Sequence, residues 1–329
     1  MIQAALRALA AAALLSASLA AVAQQSVTVN VFPGGFNWPI WVALERGLFS
    51  RAGLDVKLVL TPNSVEQLTG LIGGKFDIAM TAIDNLIAYR EGQGEARVDG
   101  PDLIAFMGAD QGFLRLVAVP DVKTYADLRG RTVSVDARTT GYAFVLLEML
   151  DRAGLREPAF TVERAGGVLQ RFQSLMEQKH AATLLLSPFE VQAEARGFNR
   201  LGNALEALKS YQGLVGGASQ AWANANRNAV VGYIRAYSEA VDWLYDSANR
   251  DAALAIFRKN LPNATPALAE AAHRVLLNPA EGFQRRVQID MEGVRTVLQL
   301  RSKWSESRQV LTDPAKYYDG SFHSQALGR

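Results

Sequence analysis

The chain contains no cysteine. Disulfides, thiolate metal sites, iron–sulfur clusters and thiol nucleophiles are excluded, and so is a lipid anchor carried on a cysteine. Histidine is nearly as scarce. His180, His273 and His323 are dispersed, and no His-x-x-x-His pair or acid cluster accompanies them, so no metal site is expected. Neither sign of charge dominates: 34 basic residues stand against 32 acidic ones, for a net charge of +2. Without a basic patch or a long like-charge run, nucleic acid and anionic membrane surfaces are not expected partners. Long hydrophobic runs are missing too, since the apolar stretch at residues 8–19 falls short of the ~20 residues that span a bilayer. No nucleophile elbow, phosphate loop or dinucleotide fingerprint is present, and no cofactor is expected.

What the chain does have is apolar content, 49% of its 329 residues, enough for two domains of ordinary size. The first 23 residues read as a cleaved signal peptide. Arg7 gives a thin positive region, residues 8–19 the apolar segment and Ala21-Val22-Ala23 a small-x-small cleavage site. A mature protein beginning near Gln24, soluble in a bacterial periplasm and without a lipid anchor, is the expectation.

The rest is organised around residues 34–49. A strand at residues 27–32 runs into a loop of glycines, aromatic rings and an amide, and a helix starts at Pro39. Proline suits a first helical turn, and Ile40, Ala43, Leu44 and Leu48 form one apolar face. Loops at the carboxyl ends of parallel strands are where open α/β sheets bind ligands. Strand and helix signals then alternate, with a capping box read at Ser64-Val65-Glu66-Gln67 and a buried strand at residues 76–80. A second series near Phe113 repeats the first, with Arg51-Ala52-Gly53-Leu54 matched by Arg152-Ala153-Gly154-Leu155. Two α/β lobes with mostly parallel sheets flanked by helices follow. After a possible return strand at residues 211–218 the chain reads as helical, forming a C-terminal tail on the first lobe. The expected organisation is residues 24–110 as the first part of lobe 1, 111–212 as lobe 2 and 213–329 as the return to lobe 1. The crossings near residues 108–112 and 211–213 contain glycine and are the expected hinge.

Several motifs now line up in order: Pro39, Ala43, Gly47 and Phe49; Gly53-Leu54-Asp55-Val56; Gly74 and Asp77-Ile78-Ala79; residues 127–133; and Ala193 with Gly197-Phe198. Together they resemble the periplasmic substrate-binding proteins of ABC importers, in the nitrate, sulfonate, taurine and thiamine-precursor (NitT/TauT-like) group. The likeness covers residues 27–215. It implies a two-lobed type II periplasmic binding protein, a monomer, that closes on one small ligand and delivers it to an ABC permease in the inner membrane. It also implies four ligand loops, residues 34–38, 81–85, 138–142 and 187–190, with Asp110 added from the hinge. His180 departs from the pattern where an acid would repeat, and reads as a surface substitution.

Within those loops the expected ligand contacts are Gly35, Phe36, Asn37, Trp38, Thr81, Asp84, Asn85, Asp110, Arg138, Thr139, Thr140, Tyr142 and Phe189. Phe36 and Trp38 either stack on a flat ligand or pack on the following helix. Thr139 and Thr140 open a helix whose free N–H groups suit an anion, or simply cap it. Arg138 could grip the same anion bidentately or lie in solvent. Asp84 could accept from a ligand donor, pair with Arg138 across the cleft or cap its own helix. Glu190 reads as solvated and Trp41 as core. The ligand expected is a small organic molecule with an anionic end and a donor group, either a ring, aromatic or heteroaromatic, or a short chain. Two other functions stay open. One is a sensory protein docking to a receptor. The other is an enzyme of the thiamine-pyrimidine type, which would need a cysteine and a histidine that no cleft loop supplies.

Overall fold

The structure is a computed structural model that describes residues 24–98 and 102–328. The signal peptide expected at residues 1–23 lies outside the described residues. Ten strands form two five-stranded sheets. The first sheet holds β1 (Gln25–Val31), β2 (Leu54–Leu60), β3 (Ile78–Ala82) and β4 (Leu103–Gly108), and is completed by β10 (Leu214–Ser219), in the order β2-β1-β3-β10-β4. The second holds β5 (Arg115–Ala118), β6 (Thr132–Val135), β7 (Thr161–Arg164), β8 (Ala182–Leu185) and β9 (Asn199–Asn203), in the order β7-β6-β8-β5-β9. In each sheet a single strand opposes the rest. β10 runs antiparallel to both β3 and β4, and β5 to both β8 and β9. These are the strands next to the crossings, so the chain passes from one lobe to the other beside the centre of each sheet. Helices cover the sheets, and burial of both faces explains why β3, β4, β5 and β8 are buried at every residue.

Several boundaries differ from the sequence reading. β1 stops at Val31, leaving Phe32 in the loop, and the next helix begins one residue early, at Trp38–Glu45. The expected loop at residues 81–85 is not a loop. β3 continues through Ala82 and passes directly into the helix Ile83–Arg90. The cap before the helix Ser64–Ile72 is Asn63, whose side chain accepts from the Glu66 amide at 2.8 Å. The return strand starts at Leu214, so residues 211–213 belong wholly to the crossing.

The two crossings are stitched to each other. The Gly213 amide donates to the Asp110 carbonyl at 3.1 Å, and Gln212 Nε2 donates to the same carbonyl at 3.1 Å and to Leu214 O at 3.0 Å. Asp110 Oδ1 accepts from the amides of Gly112 (2.7 Å) and Leu214 (3.2 Å), one on each crossing. The approach is tight enough that a Cβ on Gly213 would lie 2.2 Å from the Gly112 nitrogen.

The tail packs on the first lobe through the helix Arg227–Tyr245, whose Tyr233 ring stacks on Phe49 at 5.1 Å. The later helix Met291–Trp304 does more. Its start lies against Tyr211 and Gln212, where a Cβ on Gly293 would meet backbone at 2.4 Å. Its end reaches the second lobe. There Lys303 Nζ donates to Glu148 Oε2 (2.7 Å) and Asp151 Oδ2 (2.8 Å), and Trp304 Nε1 donates to Glu148 Oε2 at 3.1 Å.

Candidate functional site

The lobes meet along a seam of direct contacts. The Gly35 amide donates to Ser187 O at 3.0 Å, the Gly167 amide to Pro62 O at 2.8 Å, and the Ser64 amide to Asp136 Oδ2 at 2.9 Å. Glycine is what permits this approach: a Cβ on Gly167 would lie 2.6 Å from Pro62 O, and one on Gly141 would lie 2.4 Å from Asp84 Cβ. Behind the seam is a cavity of about 50 Å³. Its apolar wall includes Phe32, Phe36, Val168, Leu186 and Leu214. Its polar lining is Asn85, Asp110, Asp136, Thr140, Tyr142 and Arg171.

Each lining group is placed by local structure. Phe36 sits on the single turn Gly35–Asn37 and folds back over Gly34, where a Cβ would meet its ring at 2.2 Å. Asn85, in the first turn of Ile83–Arg90, is oriented by Nδ2 donating to Thr81 Oγ1 at 2.9 Å. Thr140 caps Gly141–Arg152, its hydroxyl donating to Ala137 O at 2.8 Å and accepting from the Ala143 amide at 3.4 Å. Capping and cavity lining therefore coexist in this residue. Arg171, on the helix Val168–Met176, is only 4% exposed and donates to Gly166 O (2.9 Å) and Leu184 O (3.3 Å). Burial lowers its pKa, with Asp136 and Tyr142 acting against that.

The carboxylates carry the strongest signal. Asp110 is 1% exposed; Oδ1 holds the two crossings and Oδ2 has no protein partner. Burial pushes its pKa up to about 6, and its hydrogen bonds to Gly112 and Leu214 only partly offset this. Asp136 is 7% exposed; Oδ2 accepts from the Ser64 amide across the seam, and Oδ1 has no partner. The hydroxyl of Tyr142, a half-buried residue, is held well above its ordinary pKa by desolvation and then by Asp110.

Of the residues singled out in the sequence, Phe36, Asn85, Asp110, Thr140 and Tyr142 line this cavity. The others lie elsewhere. Gly35 sits on the seam through its amide. Asn37 is buried, its Nδ2 donating to Phe32 O at 2.7 Å and so shaping the loop. Trp38 is fully buried, with its ring 4.7 Å from Phe257 and Nε1 donating to Ala253 O at 3.1 Å, so it is core. Trp41 is buried beside it. Thr81 is buried and serves Asn85. Phe189 packs on Phe172 at 5.1 Å.

Pairing with Arg138, one of the roles open to Asp84, does not occur. Asp84 is fully buried and takes a bidentate contact from Arg301 of the tail, Nε donating to Oδ1 at 2.7 Å and Nη2 to Oδ2. The same Nη2 also donates to Thr139 O, in the second lobe, at 2.7 Å. Arg138 is exposed and paired bidentately with Glu157, and with Thr139 it faces a separate outer cleft. Thr139 Oγ1 donates to Glu95 Oε2 at 2.9 Å. Glu190, read as solvated, is fully buried and accepts from Ser187 Oγ. His180, read as a surface substitution, is 8% exposed with Nε2 3.2 Å from Glu163.

The sequence reading did not single out Asp136, Arg171 or Phe32. Arg171 left a usable signal, because Val168, Arg171 and Leu175 fall at i, i+3 and i+7 on the buried face. A charge on that stripe marks a site. Among the described residues, no group of three or more His, Cys, Asp or Glu is arranged to hold a metal.

Comparison with solved structures gives the fold a context. The alkanesulfonate-binding protein SsuA from Xanthomonas axonopodis pv. citri superposes with a TM-score of 0.71 at 16% identity, covering 89% of this chain and 98% of that one. The periplasmic nitrate-binding protein NrtA from Synechocystis PCC 6803 gives 0.75 at 12% identity, covering 93% and 89%. The desulfurization enzyme DSZB gives 0.62 at 14% identity, covering 92% and 99%. At such identities the likeness is one of fold, the two-lobed periplasmic binding protein fold. No curated protein sequence matches the chain. Residues 37–250 match the family described as NMT1/THI5 like, and the chain belongs to that family.

Proposed function

We propose that this protein is a periplasmic solute-binding protein that captures a small organic ligand between its lobes and hands it to an ABC permease. The observation that carries this is the interlobe cavity with unpartnered acceptors on two lining carboxylates. A buried polar atom without a partner costs roughly 1–3 kcal/mol, and a ligand that supplies the partner recovers it. Aromatic and aliphatic side chains around a few fixed polar groups are the usual makeup of a small-molecule site. SsuA, an alkanesulfonate-binding protein, and NrtA, a nitrate-binding protein, point the same way. The anionic group expected on the ligand has Arg171 to meet it, since Arg138 is engaged with Glu157.

Capture without conversion is favoured over an enzymatic role by the lining itself. It holds no thiol and no imidazole, although the fold is shared with the enzyme DSZB. The mature protein is expected to be a monomer. The test is a screen of small organic ions and heterocycles on unliganded protein, read by thermal shift and by X-ray scattering for lobe closure. A ligand that raises the melting temperature and compacts the protein supports the proposal, and a library producing neither rejects it.

A further inference from the structure

The cavity holds more negative than positive charge. Asp110 and Asp136 face one cation, Arg171, whose guanidinium already serves Gly166 O and Leu184 O. Asp110 Oδ2 and Asp136 Oδ1 are both buried acceptors without a partner, one in the hinge and the other just past the end of β6. We infer that the ligand carries a cationic nitrogen group, an ammonium or amidinium, that donates to Asp110 Oδ2 and Asp136 Oδ1 beside the aromatic side chains Phe32, Phe36 and Tyr142. This inference rests on the solute-binding reading and names the chemical class that its site takes.

The physical argument has three parts. Acceptors want donors, and a carboxylate oxygen accepting from a charged nitrogen makes the stronger class of hydrogen bond. A second cation balances the second carboxylate, which otherwise stays desolvated and uncompensated. Aromatic faces attract a cation through the ring quadrupole, so Phe32, Phe36 and Tyr142 favour a flat cation over a flat anion. The volume narrows the class further. About 50 Å³ is well below the ~150 Å³ that holds benzene, so the closed form suits a cationic end of only a few heavy atoms.

The test uses two isosteric pairs that differ in charge, acetamidinium with acetate and benzamidinium with benzoate, titrated calorimetrically into the purified protein at pH 7.5. The expected result is at least tenfold tighter binding of the amidinium in at least one pair. Asp136→Asn and Asp110→Asn each reduce that preference at least tenfold. Asparagine can keep the carbonyl oxygen that serves Ser64 or the hinge amides while losing the charge, and Asp136→Asn covers the case in which the hinge variant fails to fold. Tighter binding of the carboxylates, no binding by any of the four, or a preference unchanged in a folded variant overturns the inference. Organic anions that lack a cationic nitrogen and yet bind and close the lobes would overturn it while leaving the solute-binding reading intact. Failure of a broad library to bind at all removes both.

Discussion

Trp38 separates core from site at the level of a single residue. Its ring is fully buried against Phe257, so Trp38→Ala removes core and not ligand contact. The expected cost is about 3–5 kcal/mol of stability, read from the urea midpoint. Asp84→Ala behaves alike for another reason, leaving the buried Arg301 without its carboxylate, at about 3–5 kcal/mol. Asp110 adds a pH signature. Its pKa rises from 3.8 to about 6 on burial, so below 3.8 it is protonated in both folded and unfolded chains and contributes nothing. As the pH rises towards about 6 the unfolded chain gives up its proton first, and the folded protein loses stability, on the order of 2–3 kcal/mol, with the full cost present above that. Arg115 is the nearby charge that opposes the rise, while Tyr142 and Tyr237 face the same carboxylate. Asp110→Asn is therefore expected to gain on the parent protein between pH 4 and 7 and then level off in urea titrations. Amidinium binding to the parent should strengthen over the same interval.

Elements explain which parts of this molecule could be read in advance. The strand–helix alternation and the duplicated halves were legible because apolar periodicity is local, as in Val27, Val29 and Val31 of β1. So was Phe36 on its loop. Asp84 and Arg138 were not, because Asp84 is taken by Arg301 of the tail and Arg138 by Glu157 of its own lobe. Arg301 lies far along the chain, and no local pattern announces a helix that packs on the hinge and reaches Thr139. Trp38 looked like loop for want of that same long-range information. The crossings carry their own prediction. Gly213→Ala would place a Cβ 2.2 Å from Gly112 nitrogen, which is backbone and cannot rotate aside. Overpacking there is expected to cost about 1–3 kcal/mol in denaturant unfolding, or more if the crossings separate.

For the whole molecule, the lobes touch along the seam and the cavity behind it has little room. Under the proposed function a ligand enters when the lobes part. Gly167→Ala tests this directly, since the added carbon lies 2.6 Å from Pro62 O across the seam. Affinity should fall at least tenfold by calorimetry, while the melting temperature of the unliganded protein changes little. The seam has a kinetic consequence. Its hydrogen bonds, each worth about 1 kcal/mol, form only when the lobes come to within hydrogen-bonding distance. A solute one methylene too long can still dock on one lobe, but it holds the seam ajar and forfeits them together. Discrimination between near-identical solutes then appears in residence time, with the wrong one leaving quickly and the right one shut in.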